Sequence, residues 1–384
     1  MNDVVSQIAV FDRAALDPLR RELRLDPQQL RRLWRALGRQ GASDATALAE
    51  LPAEVRKRFA DNVALHALTL HHRADSQQDG ATKLLLRTAA GMLIEAVILR
   101  IATGRTTLCL SSQVGCAAAC EFCATGKMGI AHNLSPAEIL DQLVHARQLL
   151  AAEGRTIRNL VFMGMGEPFH NEENLYATLD ALTASEFFDH PPSRILVSTV
   201  GLPEPMIRCA RRFPGVNIAL SLHSVEPVVR ERLIPLARRY RLDELRNAIV
   251  QLNRLQAEKS QVMLEYLLLA GVNDGAADAR ALAAWCDGLR VHVNLIPYNP
   301  IDDAPQLMGS DKATREAFGA ILKAAGLPTT IRYSLGADVA AACGQLVRQE
   351  NRRLRAATAS LVPTNSSGSL PLRGEGWGGG QPRH

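Results

Sequence analysis

Six short apolar runs recur from residue 159 onward: "NLVFMG", "RILVSTV", "VNIALSLH", "VMLEYLLL", "VHVNLIPY" and "TTIRYSL". Amphipathic segments of helical length separate them. A further such segment precedes the first run, "SPAEILDQLVHARQLLAAEG", in which Ser135, Pro136 and Glu138 form a capping-box start. Strands that alternate with covering helices make a parallel sheet, because each helix carries the chain back to the edge where the next strand begins. The sheet is either doubly wound or curled into a full or partial barrel. Both arrangements place ligands at the carboxyl ends of the strands.

Upstream the period is different. From Thr82 the runs "TKLLLRT", "MLIEAVILRI" and "TTLCLSS", joined by "AAG" and "ATGR", read as a small β meander. Up to about residue 75 the pattern is helical and strongly charged. In "LDPQQLRRLWRALGRQG", Asp26 caps, Pro27 takes the first helical position, and Leu30, Leu33, Trp34 and Leu37 share one face. Arginines at 20, 21, 24, 31, 32, 35 and 39 either grip phosphates or form a solvated basic face. The end, "TASLVPTNSSGSLPLRGEGWGGGQPRH", has the Gly, Ser and Pro content of a disordered tail.

With 384 residues, 47% of them hydrophobic, the chain has material for one large domain and one small one. The expected division is 1–80 as a helical accessory domain, 81–350 as meander plus core, and 351–384 as tail. No stretch approaches the apolar length of a membrane span, and "MNDVVSQIAVFDRAALD" lacks the layout of a signal peptide, so the expected location is the cytoplasm. A net charge of +5 fits an anionic partner without requiring one.

Four of the seven cysteines fall between Cys109 and Cys123. A secreted disulfide framework would spread an even number over a shorter chain, so metal or redox chemistry is the better reading. Cys116, Cys120 and Cys123 could lie on one face of a helix as small buried side chains. Gly115 and Gly126 favour a loop instead. A zinc site would need a fourth closed ligand, and Cys109 on a strand fits that role poorly. Three thiolates on an iron–sulfur cluster would leave one iron open to a substrate.

"CAAACEFC" resembles the signature of the radical S-adenosylmethionine (SAM) superfamily, in which the open iron binds the amino and carboxylate groups of SAM. The motifs "TTLCLSSQVGC", "FMGMGEP", "SLH", "GVND", "VNLIPYNP" and "AACGQL" together resemble the RlmN/Cfr family of RNA adenosine methyltransferases, from about Thr82 to Leu346. The resemblance implies an α/β fold with a partial (βα)6-type barrel, preceded by the meander and a small helical domain that helps grip RNA. It implies one 4Fe-4S cluster on Cys116, Cys120 and Cys123, and SAM contacts at Gly166, Glu167, Ser198, Ser221, Leu222, His223 and Asn299. Taken alone, His223 reads as a hydrogen-bonded structural histidine.

A carbon of adenine is a poor nucleophile, so radical addition must replace polar methylation. The resemblance implies that one SAM methylates Cys343, and that a second, reductively cleaved at the cluster, gives a radical that takes hydrogen from that methyl group. The methylene radical attacks carbon 2 or carbon 8 of an adenosine in ribosomal or transfer RNA. Cys109 then resolves the covalent adduct through a transient disulfide with Cys343. Glu95 matches the family's proton acceptor, fourteen residues before Cys109 and one farther than the family spacing. On pattern alone, Glu95 would be an outward-facing residue of the meander and Cys343 a core cysteine.

The expected partners are RNA and an electron donor such as flavodoxin or ferredoxin, with no membrane, and the expected state is a monomer. Phosphate contacts fall to the arginine-rich helices and "RQENRRLR". His132 and Ala237 stand where the family more often has arginine and asparagine, which touches target identity more than reaction type. Cys209 and Cys286 receive no role. The alternatives are a radical SAM enzyme on another substrate, or an RNA-binding protein with a structural cluster.

Overall fold

The structure, a computed structural model, describes residues 7–129, 131–257, 260–342 and 344–345. Cys343, "RQENRRLR" and the Gly/Ser/Pro tail lie outside the described residues.

The chain opens with β1 (Ile8–Ala9), α1 (Arg13–Glu22), α2 (Pro27–Arg35), α3 (Asp44–Leu48), α4 (Ala53–Asn62) and β2 (Val63–Ala64), which pairs in parallel with β1. Asp26 caps α2 through Gln28 N–H at 2.7 Å, and Gln29 Oε1 accepts the Asp26 N–H at 3.0 Å, so both halves of a capping box are made. Leu30, Leu33, Trp34 and Leu37 are buried on one face, with the indole N–H donated to the Val10 carbonyl at 2.7 Å.

The helical reading ends at Asn62. Leu68–Asp75 is a strand, β3, antiparallel to β4 (Ala81–Thr88) with a register break between Leu70 and His72. It is the edge of the sheet and almost wholly exposed, so no buried face imposes the period-two apolar pattern that would have announced it. β4 pairs with β5 (Leu93–Arg100) and β5 with β6 (Thr106–Cys109), both antiparallel.

β6 is also the first parallel strand of this sheet. After the short hairpin of β7 (Gln113–Gly115) and β8 (Ala131–Asn133) comes α5 (Pro136–Ala151), and the chain returns as β9 (Asn159–Phe162) beside β6. The same crossover repeats through α6 (Glu172–Thr183), β10 (Ile195–Thr199), α7 (Pro203–Arg212), β11 (Asn217–Ser221), α8 (Pro227–Leu233) and α9 (Leu242–Leu255). It continues with β12 (Val262–Leu268), α10 (Ala276–Trp285), β13 (Val291–Pro297), α11 (Lys312–Ala324) and β14 (Thr329–Ile331).

Strand order decides between the two architectures. The sheet runs β14-β13-β12-β11-β10-β9-β6-β5-β4-β3, so each crossover adds the next strand on the same side with no reversal. A doubly wound sheet reverses at a switch point; this one winds in a single sense, as a barrel does. Among the described residues β14 pairs only with β13, which leaves the barrel open. The fold is therefore α/β, an open barrel of seven parallel strands extended by an antiparallel meander. All six apolar runs of the sequence are parallel strands, and "TTLCLSS" serves both parts of the sheet.

Candidate active site

The hairpin β7–β8 carries Cys116, Cys120 and Cys123 in its connecting loop, beyond the carboxyl end of β6. No helix holds the three cysteines, so they are not a helical stripe. The loop is tightly folded: Cys123 N–H reaches Cys120 O at 3.2 Å and Glu121 N–H reaches Leu233 O at 2.9 Å. A side chain at Gly126 would put its Cβ 2.9 Å from Cys120 N, which only glycine avoids. All three thiols face one cavity.

Burial pushes the Cys116 thiol up to about 12 and the Cys120 thiol well above its usual range. Each would stay protonated unless a bound cation offset the charge. Ligands of a single ion crowd together, and among the described residues the side chains whose ligand atoms lie within 4.8 Å of one another are His66, Asp141 and His145, not the cysteines. A cluster, in which each thiolate binds its own iron, suits the wider spacing.

The rest of the cavity wall comes from successive strand ends. Gly164, Gly166 and Glu167 follow β9, Ser198 closes β10, Ser221 and His223 close and follow β11, and Asn299 follows β13. Gly166 has φ +104°, and a Cβ there would meet Gln113 N at 2.8 Å. Glu167 is aimed by the main chain: Oε2 accepts Val200 N–H at 2.8 Å and Oε1 accepts Phe169 N–H at 3.0 Å. Burial pushes its carboxyl up to about 7 against those hydrogen bonds. Leu222 is placed in the core, not on the cavity wall.

His223 combines its two readings. Nδ1 accepts the Leu267 N–H at 3.0 Å, Phe122 packs edge-on at 4.8 Å, and the ring lines the cavity. Burial, reinforced by Arg230, pushes the imidazole down to about 3, so it is neutral. The "GVND" motif fixes this corner: Asn273 donates to His223 O at 2.6 Å and Leu267 O at 2.7 Å, and accepts Leu269 N–H at 2.8 Å.

Two charged residues of the site went unnoticed in the sequence. Glu265 of β12 lines the cavity, and its Oε2 accepts from Ser198 at 3.0 Å and Ser221 at 3.3 Å. Arg230 of α8 is fully buried and donates to the carbonyls of Ser221 at 2.9 Å, Val200 at 2.6 Å and Leu222. A lone carboxylate in "VMLEYLLL" was a readable signal for Glu265; nothing in "PVVRERL" distinguishes Arg230 from a solvated helix residue.

Cys109 belongs to a second cavity. That cavity is lined by Cys109, Val97, Arg332, Tyr333, Ala341 and Ala342 among others, and it shares Met163 and Ile296 with the first. Gly344, on the other side of Cys343 in sequence, lines the first cavity, and its carbonyl accepts Ala124 N–H from the cysteine loop at 2.7 Å. Glu95 is 1% exposed, which overturns the outward-facing alternative. Its Oε1 lies 3.3 Å from Lys83 Nζ, and its carbonyl accepts from Ser111 Oγ at 2.6 Å.

Cys209 and Cys286 are buried core residues whose thiols burial pushes up to about 12. Ala237 is buried in the cluster of side chains that includes Cys120, whereas His132 is exposed on β8. On the N-terminal helices, Arg20 and Arg21 pair with Asp17, Arg32 with Glu50 and Arg39 with Asp189. Arg24, Arg31 and Arg35 are exposed and make no ion pair among the described residues.

An open parallel barrel with three cysteines looped over its carboxyl edge is the architecture of a radical SAM protein, and residues 110–283 match the model of the Radical SAM superfamily. The chain is 53% identical to a probable RNA methyltransferase of Rhodopirellula baltica over 92% of its own length and 91% of that protein's. It is 36% identical to the dual-specificity RNA methyltransferase RlmN 1 of Myxococcus xanthus, covering 92% of this chain and 98% of that one. A radical SAM methyltransferase from Sphaerobacter thermophilus superposes with a TM-score of 0.84 at 38% identity, over 89% of this chain and 100% of that chain. The chain belongs to the RlmN family of radical SAM RNA methyltransferases.

Proposed function

We propose that the chain methylates carbon 2 or carbon 8 of an adenosine in ribosomal or transfer RNA, using Cys343 as methyl carrier, Cys109 as resolving thiol and Glu95 as proton acceptor. The supporting observation is the division of the cysteines between two adjoining cavities. Cys116, Cys120 and Cys123 line one, and Cys109 lines the other together with Ala342; the flanks of Cys343, Ala342 and Gly344, fall one on each.

Membership of the superfamily implies a 4Fe-4S cluster and SAM, and the first cavity fits them. It offers three converging thiols, strand-end hydroxyls and the buried Glu265 Oε1, which has no hydrogen-bond partner among the described residues. Cys116, Cys120 and Cys123 would hold the cluster, and Gly166, Glu167, Ser198, Ser221, His223 and Asn299 would hold SAM. When bound, the cluster would supply the electron for reductive cleavage of one SAM, and another SAM would supply the methyl group of Cys343, so that two SAM are used per turnover.

The protein's own residues do the rest. Cys343 presents its methyl carbon, which bonds to the adenine carbon after passing one hydrogen atom to the 5′-deoxyadenosyl fragment of the cleaved SAM. Glu95 takes the proton of the attacked carbon while the odd electron leaves to a one-electron acceptor. The Cys109 thiolate then attacks the Cys343 sulfur, the sulfur–carbon bond breaks toward the departing carbon, and a proton completes the new methyl group. A two-electron reductant restores the resulting disulfide. Such a bond turns over in a reducing cytoplasm, and flavodoxin or ferredoxin would be the electron donor for the cleavage of SAM. No helix among the described residues is long and apolar enough to cross a membrane.

We assign RNA gripping to residues 1–80 and the reaction to residues 81–350, in a monomer. The test is mass spectrometry of anaerobically reconstituted protein and of nucleosides from RNA exposed to it. The expected result is one methyl increment on Cys343 and a carbon-methylated adenosine. Protein with an intact cluster and SAM cleavage but no such increment would sink the mechanism.

A further inference from the structure

Lys83 of β4 lies opposite Val97 of β5, and Val97 lies opposite Cys109 of β6. Directly opposed residues of antiparallel strands point to one face, so these three form a row across the meander. Glu95, two residues from Val97, shares that face. Lys83 Nζ lies 3.3 Å from Glu95 Oε1 and 3.4 Å from the Ala340 carbonyl, three residues before Cys343. The ammonium thus touches both the carboxylate and the segment that leads to the methyl carrier.

Most cross-strand ion pairs sit in water and contribute little. This one does not: the side chains are 17% and 1% exposed. A carboxylate buried without a cation takes up a proton and is useless as a base, whereas an opposite charge a few ångströms away favours the ionised form.

We propose that Lys83 is a positioning residue that keeps the Glu95 carboxylate ionised and aimed at the proton of the attacked adenine carbon, and that its contact with Ala340 registers this base against the Cys343 segment. The inference rests on Glu95 being the proton acceptor. In the step concerned, the carbon–hydrogen bond breaks and its proton converts Glu95 to a neutral carboxylic acid. The bonding electrons stay with the ring, and the odd electron passes to a one-electron acceptor. Lys83 keeps its own proton throughout. Cys109 from β6 shares the face of Glu95, and Arg332, which follows β14, lines the neighbouring cavity with Val97.

Cys109→Ala protein provides the assay, because an adduct that has lost its proton can no longer be resolved and accumulates as a covalent protein–RNA band. Full-length, anaerobically reconstituted protein is given SAM, reductant and in vitro transcribed large-subunit ribosomal RNA and transfer RNA over a range of pH. Adding Glu95→Gln should cut adduct formation at least tenfold at every pH, with 5′-deoxyadenosine still produced.

Adding Lys83→Met should cut it several-fold near neutrality and move the acid limb upward by about one to two pH units, the usual influence of one adjacent opposite charge. Lys83→Arg should restore most of the parent profile. Lys83→Gln repeats the test should the methionine variant misfold. A Lys83→Met or Lys83→Gln profile that overlays the parent's, while Glu95→Gln blocks the adduct, overturns the role of Lys83 alone. Adduct at the parent rate in Glu95→Gln overturns the reading of Glu95, and Lys83 falls with it.

Discussion

The Ser198 hydroxyl of β10 donates to Glu265 Oε2 of β12 at 3.0 Å, reaching past β11, whose own Ser221 donates to the same oxygen at 3.3 Å. Three neighbouring strands are thereby tied by one carboxylate oxygen. Burial pushes the Glu265 carboxyl above its ordinary range, while Arg332, Ser198 and Ser221 work against that. The second oxygen, Oε1, is buried with no hydrogen-bond partner among the described residues.

An unpartnered carboxylate oxygen on a cavity wall asks for a donor from the ligand, and a ribose hydroxyl of SAM is such a donor. Glu265→Gln should weaken SAM binding about tenfold, as loss of one hydrogen bond to a charged group implies. Iron content should not change. Equal dissociation constants for SAM in the two proteins, by isothermal titration, would show that Oε1 does not meet the ligand.

Four cysteines that look alike in sequence should separate into two phenotypes. Alanine at Cys116, Cys120 or Cys123 should abolish the brown colour and the iron and sulfide content, since three ligands are the minimum that leaves one iron open. Cys109→Ala should keep full iron and sulfide, because Cys109 lines a different cavity. It should instead trap RNA covalently. Loss of iron from Cys109→Ala would return that thiol to the cluster.

Arg230 is a buried cation that satisfies carbonyls rather than a carboxylate. Arg230→Met strands the carbonyls of Val200 and Ser221 in the interior, whereas the Leu222 carbonyl keeps the Ser224 N–H at 2.8 Å. At about 1–3 kcal/mol per orphaned acceptor, the cost should be at least about 2 kcal/mol. The check is chemical denaturation of the variant; a change below about 1 kcal/mol would mean that water replaces the guanidinium.

The limits of the sequence follow from the same residues. Buried parallel strands announce themselves as apolar runs because both faces are covered, so β9 to β14 were legible. β3 was not, since an exposed edge strand obeys no burial pattern. Open barrel against doubly wound sheet is a matter of strand order, which local composition does not encode. The site divides likewise. Cysteine spacing and strand-end motifs marked it, yet Glu265 and Arg230 act through partners on other elements, and Lys83 in "TKLLLRT" reads as an ordinary solvated lysine until β5 is laid beside it.

The N-terminal helices are fastened to the barrel by a histidine whose ring is engaged at both nitrogens. His66 Nδ1 lies 2.7 Å from Asp141 Oδ1 on α5, and Nε2 lies 2.9 Å from Asp44 Oδ1 on α3. Asp141 Oδ2 also accepts the Leu68 N–H at 2.8 Å, and the His145 ring stacks on His66 at 4.5 Å. Burial disfavours the charged imidazole, but Asp141 and then Asp44 outweigh it and hold His66 up at about 9. A group raised on folding stabilises fully below its unfolded value, about 6.5, and that contribution is lost as pH climbs through the folded value. The thermal midpoint should therefore fall between pH 6.5 and 9, and His66→Gln should be less stable at pH 6 with a flatter profile over that window. Parallel profiles for the two proteins, followed by circular dichroism, would rule out the protonated latch.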